Sequence, residues 1–243
     1  MQAITINPFK KVIPMKTKTK EYPILGSFGK GVKGSYHLSF GMSAGKHCLT
    51  SCVHYAKDCY AQKTEKFRSA LGRKQERHEN THPTLLVNKA IMEVQNAKTP
   101  IPWFRFSSFG SAPNKPVARG KGFIGSMIRL ASLLDPRTTH FPVESKTKAQ
   151  FYRRILPAFT IRESLQSKKR LQDFDKQCSI VVGEWEQTPK ERADVARETA
   201  KDIKRTRNKT AIVCPAVVSD SKCGQCRACA SPLVDLVVYP LHR

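Results

Sequence analysis

The stretch CSIVVGEWEQTPKERADVARETAKDIKRTRNKTAIV, residues 178–213, decides the fold class. It opens with a continuous apolar run at residues 180–182, a pattern typical of a strand buried on both faces. Thr188 followed by Pro189 predicts the start of a helix, since Thr is a common N-cap and Pro fits the first helical position. Residues 210–213 predict a second strand. The stretch is therefore a strand–helix–strand unit, the building block of parallel sheets.

The same alternation extends towards both ends of the chain. Further strands are predicted at residues 36–40, 103–107, 140–144, 159–165 and 234–239. Helices are predicted within residues 61–97 and at residues 123–134, 148–156 and 166–174. About seven strands separated by helices predict an α/β fold of parallel βα repeats, either an open doubly wound sheet or a partial or closed (β/α) barrel.

Composition and sequence pattern limit the possible domain organisation and location of the chain. Residues 1–34 form a basic, irregular lead-in broken by prolines, and no linker divides residues 35–243, so we expect a single domain there. No run of about 18 apolar residues predicts a membrane-spanning helix. The lead-in lacks the apolar segment of a secretory signal, so we expect a cytoplasmic protein.

The chain is strongly basic, with 43 Lys and Arg against 19 Asp and Glu and a formal net charge of +24. Such a charge attracts polyanions, which makes nucleic acid the expected partner. A solvated basic surface is the alternative interpretation.

Cysteines supply the clearest functional signal, because seven of the eight fall into two groups. The C-terminal group places four thiols within sixteen residues: Cys214, Cys223, Cys226 and Cys229. The Cys-x2-Cys-x2-Cys run is a spacing that ferredoxins use for iron–sulfur clusters, and four thiolates also suit tetrahedral zinc. We favour a [4Fe-4S] cluster, with zinc and free buried thiols as alternatives.

The N-terminal group is Cys48, Cys52 and Cys59, directly after the first predicted strand. Three thiolates leave a coordination position open, which a catalytic metal needs. His47 and His54 flank this loop and leave a mixed Cys/His zinc site as an alternative.

This three-cysteine loop resembles that of the radical SAM enzymes. That resemblance implies a [4Fe-4S] cluster whose fourth iron is ligated by S-adenosylmethionine (SAM). The usual family spacing is Cys-x3-Cys-x2-Cys, whereas the second gap here is six residues. The family often carries a carboxylate after the second strand, where this chain reads Ser-Ser-Phe-Gly-Ser at residues 107–111.

Over most of residues 35–243 the chain most resembles the phage gene product 88 family. The resemblance is carried by the stretch from Cys48 to Cys59-Tyr60-Ala61, the strand around Arg105, the C-terminal cysteines and the closing residues 237–242. It implies a phage or mobile-element protein with a radical-SAM-like barrel and two cysteine metal sites, and no settled reaction.

Charged residues interrupt several predicted strands near their C-terminal ends, the edge where βα folds place active sites. Four are candidates for binding the cofactor, the glutamates through its ribose or amino group: Arg105, Glu144, Glu163 and Glu184. Structural Arg–Glu ion pairs, for instance with Arg162, are the alternative.

Two kinds of function remain open on these observations. The first is a radical-SAM-type enzyme that modifies nucleic acid or a nucleotide. The second is a non-enzymatic protein, stabilised by iron–sulfur clusters or zinc, that binds nucleic acid or senses redox state.

Overall fold

The computed structural model describes residues 24–27, 35–38, 78, 80–106, 120–165, 167–184, 186–219 and 221–241. The strands are β1 (Gly26–Ser27), β2 (Tyr36–Leu38), β3 (Phe104–Phe106), β4 (Thr139–Val143), β5 (Ile161–Leu165), β6 (Cys178–Val182), β7 (Ala211–Val213) and β8 (Leu236–Pro240). The α-helices are α1 (Pro83–Gln95), α2 (Lys121–Ser132), α3 (Lys146–Ile155), α4 (Pro189–Arg207), α5 (Pro215–Val218) and α6 (Cys223–Cys226). Short 3-10 turns occupy Pro136–Thr138, Lys168–Gln172 and Ala228–Ala230.

All strands join one sheet in the order β1-β2-β3-β4-β5-β6-β8-β7. Strands β2 to β8 are parallel, and β1 pairs antiparallel with β2. The predicted parallel βα fold and its seven strands are confirmed. The sheet has two edges, β1 and β7, so within the described residues it is open and the expectation of a closed barrel is wrong. Strand β1 lies within the lead-in that was predicted to be irregular. It was not predicted as a strand, because its two residues are too few to show an apolar pattern.

The longer helices α1 to α4 cover one side of the sheet, here called the helix face. Strands β2 to β6 follow one another in a single direction, and right-handed crossovers then place every connecting helix on the same side. Two core clusters confirm this placement: α1, α2 and α3 pack on Phe104, Phe106 and Phe141, whereas α4 packs on Ile180 and Val238. A doubly wound sheet is therefore excluded for these elements, because it needs helices on both faces.

The opposite side of the sheet is here called the polar face. Side chains alternate strictly along each strand, so the residues between those of the helix face point to the polar face. In-register neighbours on this face are His37, Arg105 and His140 on β2 to β4, Arg162 and Ser164 on β5, Ser179 on β6, and Val237 and Tyr239 on β8. The strands were expected to be apolar on both faces. Only the helix face is mainly apolar, because the four longer helices pack on that face.

The chain reverses direction once, when it passes from the edge strand β7 back to β8. A right-handed crossover in this reversed direction lies on the other side of the sheet. Residues 214–235, which carry the C-terminal cysteines, therefore cross the polar face. None of the helices in the described ranges is long and apolar enough to span a bilayer.

Candidate metal centre on the polar face

Local turns bring the C-terminal cysteines round towards one another. Cys214 directly follows β7 and donates its backbone N–H to the carbonyl of Val238, at 2.8 Å. Cys223 and Cys226 occupy the ends of the single helical turn α6, so the two residues between them place both on one side. Arg227 then adopts a left-handed conformation, with φ of 54°, and donates its N–H to the Cys223 carbonyl at 3.1 Å. This C-cap redirects the chain into the 3-10 turn that carries Cys229.

All four C-terminal cysteines line one cavity, together with Trp103 and Val237. The space is about 260 Å³, including its part open to solvent. None of the five cysteines in the described residues forms a disulfide. Among the described residues, no three His, Cys, Asp or Glu side chains are grouped closely enough to hold a single metal ion.

Arg162 fixes the cysteine segment to the sheet. Its side chain is fully buried, and its guanidinium donates to five backbone carbonyls, those of Cys178, Ala228, Cys229, Ser231 and Val234, at 2.7–3.3 Å. These bonds use all five N–H donors of the planar guanidinium, whereas a Lys ammonium has only three donors. The expected Arg–Glu pair is therefore wrong for Arg162, because the carbonyls of the segment satisfy it.

Two more side chains hold the turn that carries Cys229. The Thr160 hydroxyl donates to the Ala230 carbonyl at 2.7 Å, and both residues are buried. Tyr239 lies across from the same turn, with its Oη 2.8 Å from the Sγ of Cys229. The Cys229 thiol is thus contacted from the sheet itself and not only by its own segment.

Burial governs the protonation of these thiols. It raises the pKa of Cys214 to about 12 and also raises the pKa of Cys229, where the hydrogen bond between Cys229 and Tyr239 and the charges of Arg162 and Arg105 act in the opposite direction. Buried thiols with a raised pKa keep their protons near neutral pH. A bound metal would displace those protons, since thiolate is the ligating form.

Trp103 and His140 add two buried nitrogens beside this centre. Their rings lie 6.3 Å apart, and neither Trp103 Nε1 nor His140 Nε2 has a hydrogen-bond partner among the described residues. Burial, together with the charges of Arg105 and Arg162, holds the pKa of His140 well below its usual value, so the imidazole is neutral. Trp103 also lines the cavity, but its Nε1 is buried and is not part of the cavity surface.

The other predicted site residues are distributed more widely. Arg105 lies on the polar face, near enough to influence the pKa of Cys229. Glu163 lies on the helix face and pairs with Arg170 at 2.9 Å. Glu144 follows β4 and forms an ion pair with Lys148, and Glu184 is exposed beyond β6. Cofactor binding by these residues stays a prediction. The N-terminal candidates lie outside the described residues: Cys48, Cys52, Cys59, His47 and His54.

Trp103, His140 and Tyr239 were not among the site residues predicted from the sequence, and Arg162 was expected in an ion pair. One signal identifies them in retrospect: polar side chains recur at alternate positions on neighbouring apolar strands, which marks one face of a sheet. Comparison of the chain with protein-family models, curated proteins and solved structures finds no significant match.

Proposed function

We propose that this chain is an iron–sulfur protein of radical-SAM-like type, with a [4Fe-4S] cluster held by Cys214, Cys223, Cys226 and Cys229. The observation that carries the proposal is the shared cavity that these four side chains line on the polar face. Four thiolates fill all four cluster positions, which suits a structural or electron-relay role.

A cluster is favoured over a single zinc ion in this proposal. Zinc draws its four thiolates to about 2.3 Å from one point. In a cluster each thiolate binds a different iron, so the four sulfurs stay farther apart. The Cys-x2-Cys-x2-Cys spacing of Cys223, Cys226 and Cys229 is the observation that favours the cluster.

The reactive site in this proposal is the N-terminal group of Cys48, Cys52 and Cys59, which leaves one iron open for SAM. When bound there, the cluster would supply the electron for reductive cleavage of SAM. The open parallel sheet, with helices on one side and polar side chains on the other, supports a partial barrel. The net charge of +24 supports nucleic acid or a nucleotide as substrate.

Iron and acid-labile sulfide in anaerobically prepared protein test the C-terminal site. Replacing Cys223 by Ala should remove about four irons and four sulfides per chain. Cys178→Ala is the matched control, because Cys178 is buried on the helix face within the apolar core, and it should change neither content. A colourless zinc protein, or equal iron loss in both variants, would overturn the proposal.

Cleavage of SAM to 5′-deoxyadenosine by the reduced protein tests the enzymatic part. We expect activity in the wild type and none after Cys52→Ala, with the C-terminal cluster retained. A reduced, fully loaded protein that neither binds nor cleaves SAM would instead favour the non-enzymatic alternative. In that case salt-dependent binding to DNA or RNA would be the expected activity, carried by the basic charge.

A further inference from the structure

The contact between Tyr239 and Cys229 suggests how the C-terminal cluster behaves. The two atoms, Tyr239 Oη and Cys229 Sγ, are 2.8 Å apart, and Tyr239 reaches the sulfur from β8 on the polar face. Either atom can donate when the cysteine is a thiol. A metal-bound thiolate carries no proton, so in the loaded protein the phenol hydroxyl must be the donor.

The surroundings of this contact are electropositive. The charges of Arg162 and Arg105 both reach Cys229, and Arg162 also donates to the Cys229 carbonyl at 2.7 Å. None of the described strand residues on the polar face is a carboxylate. Positive charge and a hydrogen bond to the ligand sulfur both favour the more negative, reduced state of a cluster.

We propose that Tyr239 raises the reduction potential of the C-terminal cluster by donating a hydrogen bond to Cys229 Sγ, which makes that cluster a redox-active electron carrier and not only a structural clip. This inference rests on the proposed cluster. The cluster takes one electron from a one-electron donor, and the tyrosine keeps its proton throughout. The hydrogen bond strengthens on reduction, because the added electron places more negative charge on the sulfur.

The test isolates the C-terminal cluster in the full chain by replacing Cys48, Cys52 and Cys59 with Ala. In this background the midpoint potential is measured by titration with dithionite, followed by electron paramagnetic resonance of the reduced cluster. Tyr239→Phe removes only the hydroxyl. Tyr152→Phe is the matched control, because Tyr152 is buried on the helix face with no hydrogen-bond partner for its hydroxyl among the described residues.

We expect Tyr239→Phe to shift the equilibrium towards the oxidised cluster by about tenfold, which for a one-electron couple is about 59 mV. Tyr152→Phe should leave the potential unchanged. Equal potentials in the background protein and in Tyr239→Phe would overturn the inference while leaving the proposed cluster intact. A background protein without iron would overturn the proposed cluster itself.

A second measurement tests the hydrogen bond between Tyr239 and Cys229 if the Tyr239→Phe variant does not retain its cluster. Electron–nuclear double resonance of the background protein, reduced in H2O and in D2O, detects exchangeable protons close to the ligand sulfurs. We expect the exchangeable protons to include one at hydrogen-bond distance from the Cys229 sulfur, that of the Tyr239 hydroxyl. Its absence would overturn the inference without any substitution of Tyr239.

Discussion

The helix face and the polar face of this sheet are stabilised by different forces. On the helix face aromatic rings pack on one another, with centroids 4.5 Å apart for Phe106 and Phe141 and 4.7 Å for Phe141 and Tyr152. The hydrophobic stabilisation of this face scales with the apolar area that is buried and depends little on direction. On the polar face one guanidinium, that of Arg162, forms five directed hydrogen bonds, four to the segment that carries the cysteines and one to β6.

Because of this difference, we expect the two faces to tolerate substitutions to different degrees. An apolar core accepts other side chains of similar volume at modest cost. A buried network of directed bonds accepts very few, because each lost donor leaves a carbonyl unsatisfied. The fold therefore depends on many residues of the helix face, and the placement of the cysteines depends on a few residues of the polar face.

Replacing Arg162 by Met should have the largest effect. Each buried carbonyl left without a donor costs about 1–3 kcal/mol. The carbonyls of Ala228 and Ser231 also accept the backbone N–H groups of Ser231 and Val234, so the largest losses are expected at Cys229 and Val234. Their sum exceeds the cost of most single substitutions and should unfold the cysteine segment or the whole domain. Equilibrium denaturation with urea measures the loss. Arg162→Lys should restore only part of it, and Arg137→Met, at an exposed ion pair, serves as the control. Near wild-type stability for Arg162→Lys would contradict the contrast between the faces.

Replacing Phe141 by Ala on the helix face should lower the free energy of unfolding by about 3–5 kcal/mol, the usual cost of a large core cavity. Phe141 is fully buried and contacts two aromatic rings. Leu233→Ala, at a position 80% exposed, should change stability little. Thermal and urea unfolding measure both variants. A loss for Phe141→Ala as small as that for Leu233→Ala would refute the assigned core.

Replacing Thr160 by Val tests a single bond of the polar face. The substitution removes the hydroxyl that donates to the Ala230 carbonyl at 2.7 Å and keeps the shape of the side chain. We expect a loss of about 1–3 kcal/mol, because one buried carbonyl stays unsatisfied. Hydrogen exchange should quicken at residues 228–231 and stay unchanged in α4. Uniform quickening across the chain would contradict a local role for this bond.

The smallest effect concerns Cys178 and appears only at alkaline pH. Burial raises the pKa of this thiol from 9.0 to about 11, so between these values the unfolded chain releases a proton that the folded chain keeps. Stability is therefore unaffected below pH 9 and falls as pH rises towards 11. Cys178→Ala should reduce the slope of stability against pH in this window by up to one proton. An unchanged slope would mean that the thiol is not protected on the helix face.

Much of the fold was readable from local patterns. The seven parallel strands appear where apolar runs predict them, with shorter bounds in the described residues. Helix α4 begins at Pro189, where a capping box joins Thr188 and Glu191: the Thr188 hydroxyl accepts from the Glu191 N–H at 3.2 Å. The residues of such a signal lie close together in the sequence, so the signal can be recognised without knowledge of any tertiary contact. The basic segment at residues 166–174 was harder to read, and it forms the 3-10 turn Lys168–Gln172 instead of a longer helix.

The βα alternation and the two groups of cysteines follow from the sequence alone, because periodicity, capping and thiol spacing are properties of neighbouring residues. The three-dimensional fold was needed to show that the longer helices share one side, that residues 214–235 cross the other, and that Arg162 holds them there. These outcomes depend on strand order and on contacts between residues about 70 positions apart, such as Thr160 with Ala230. No local pattern records such a contact. The hydroxyl of Tyr239 beside the sulfur of Cys229 likewise emerges only when the last strand enters the sheet between β6 and β7.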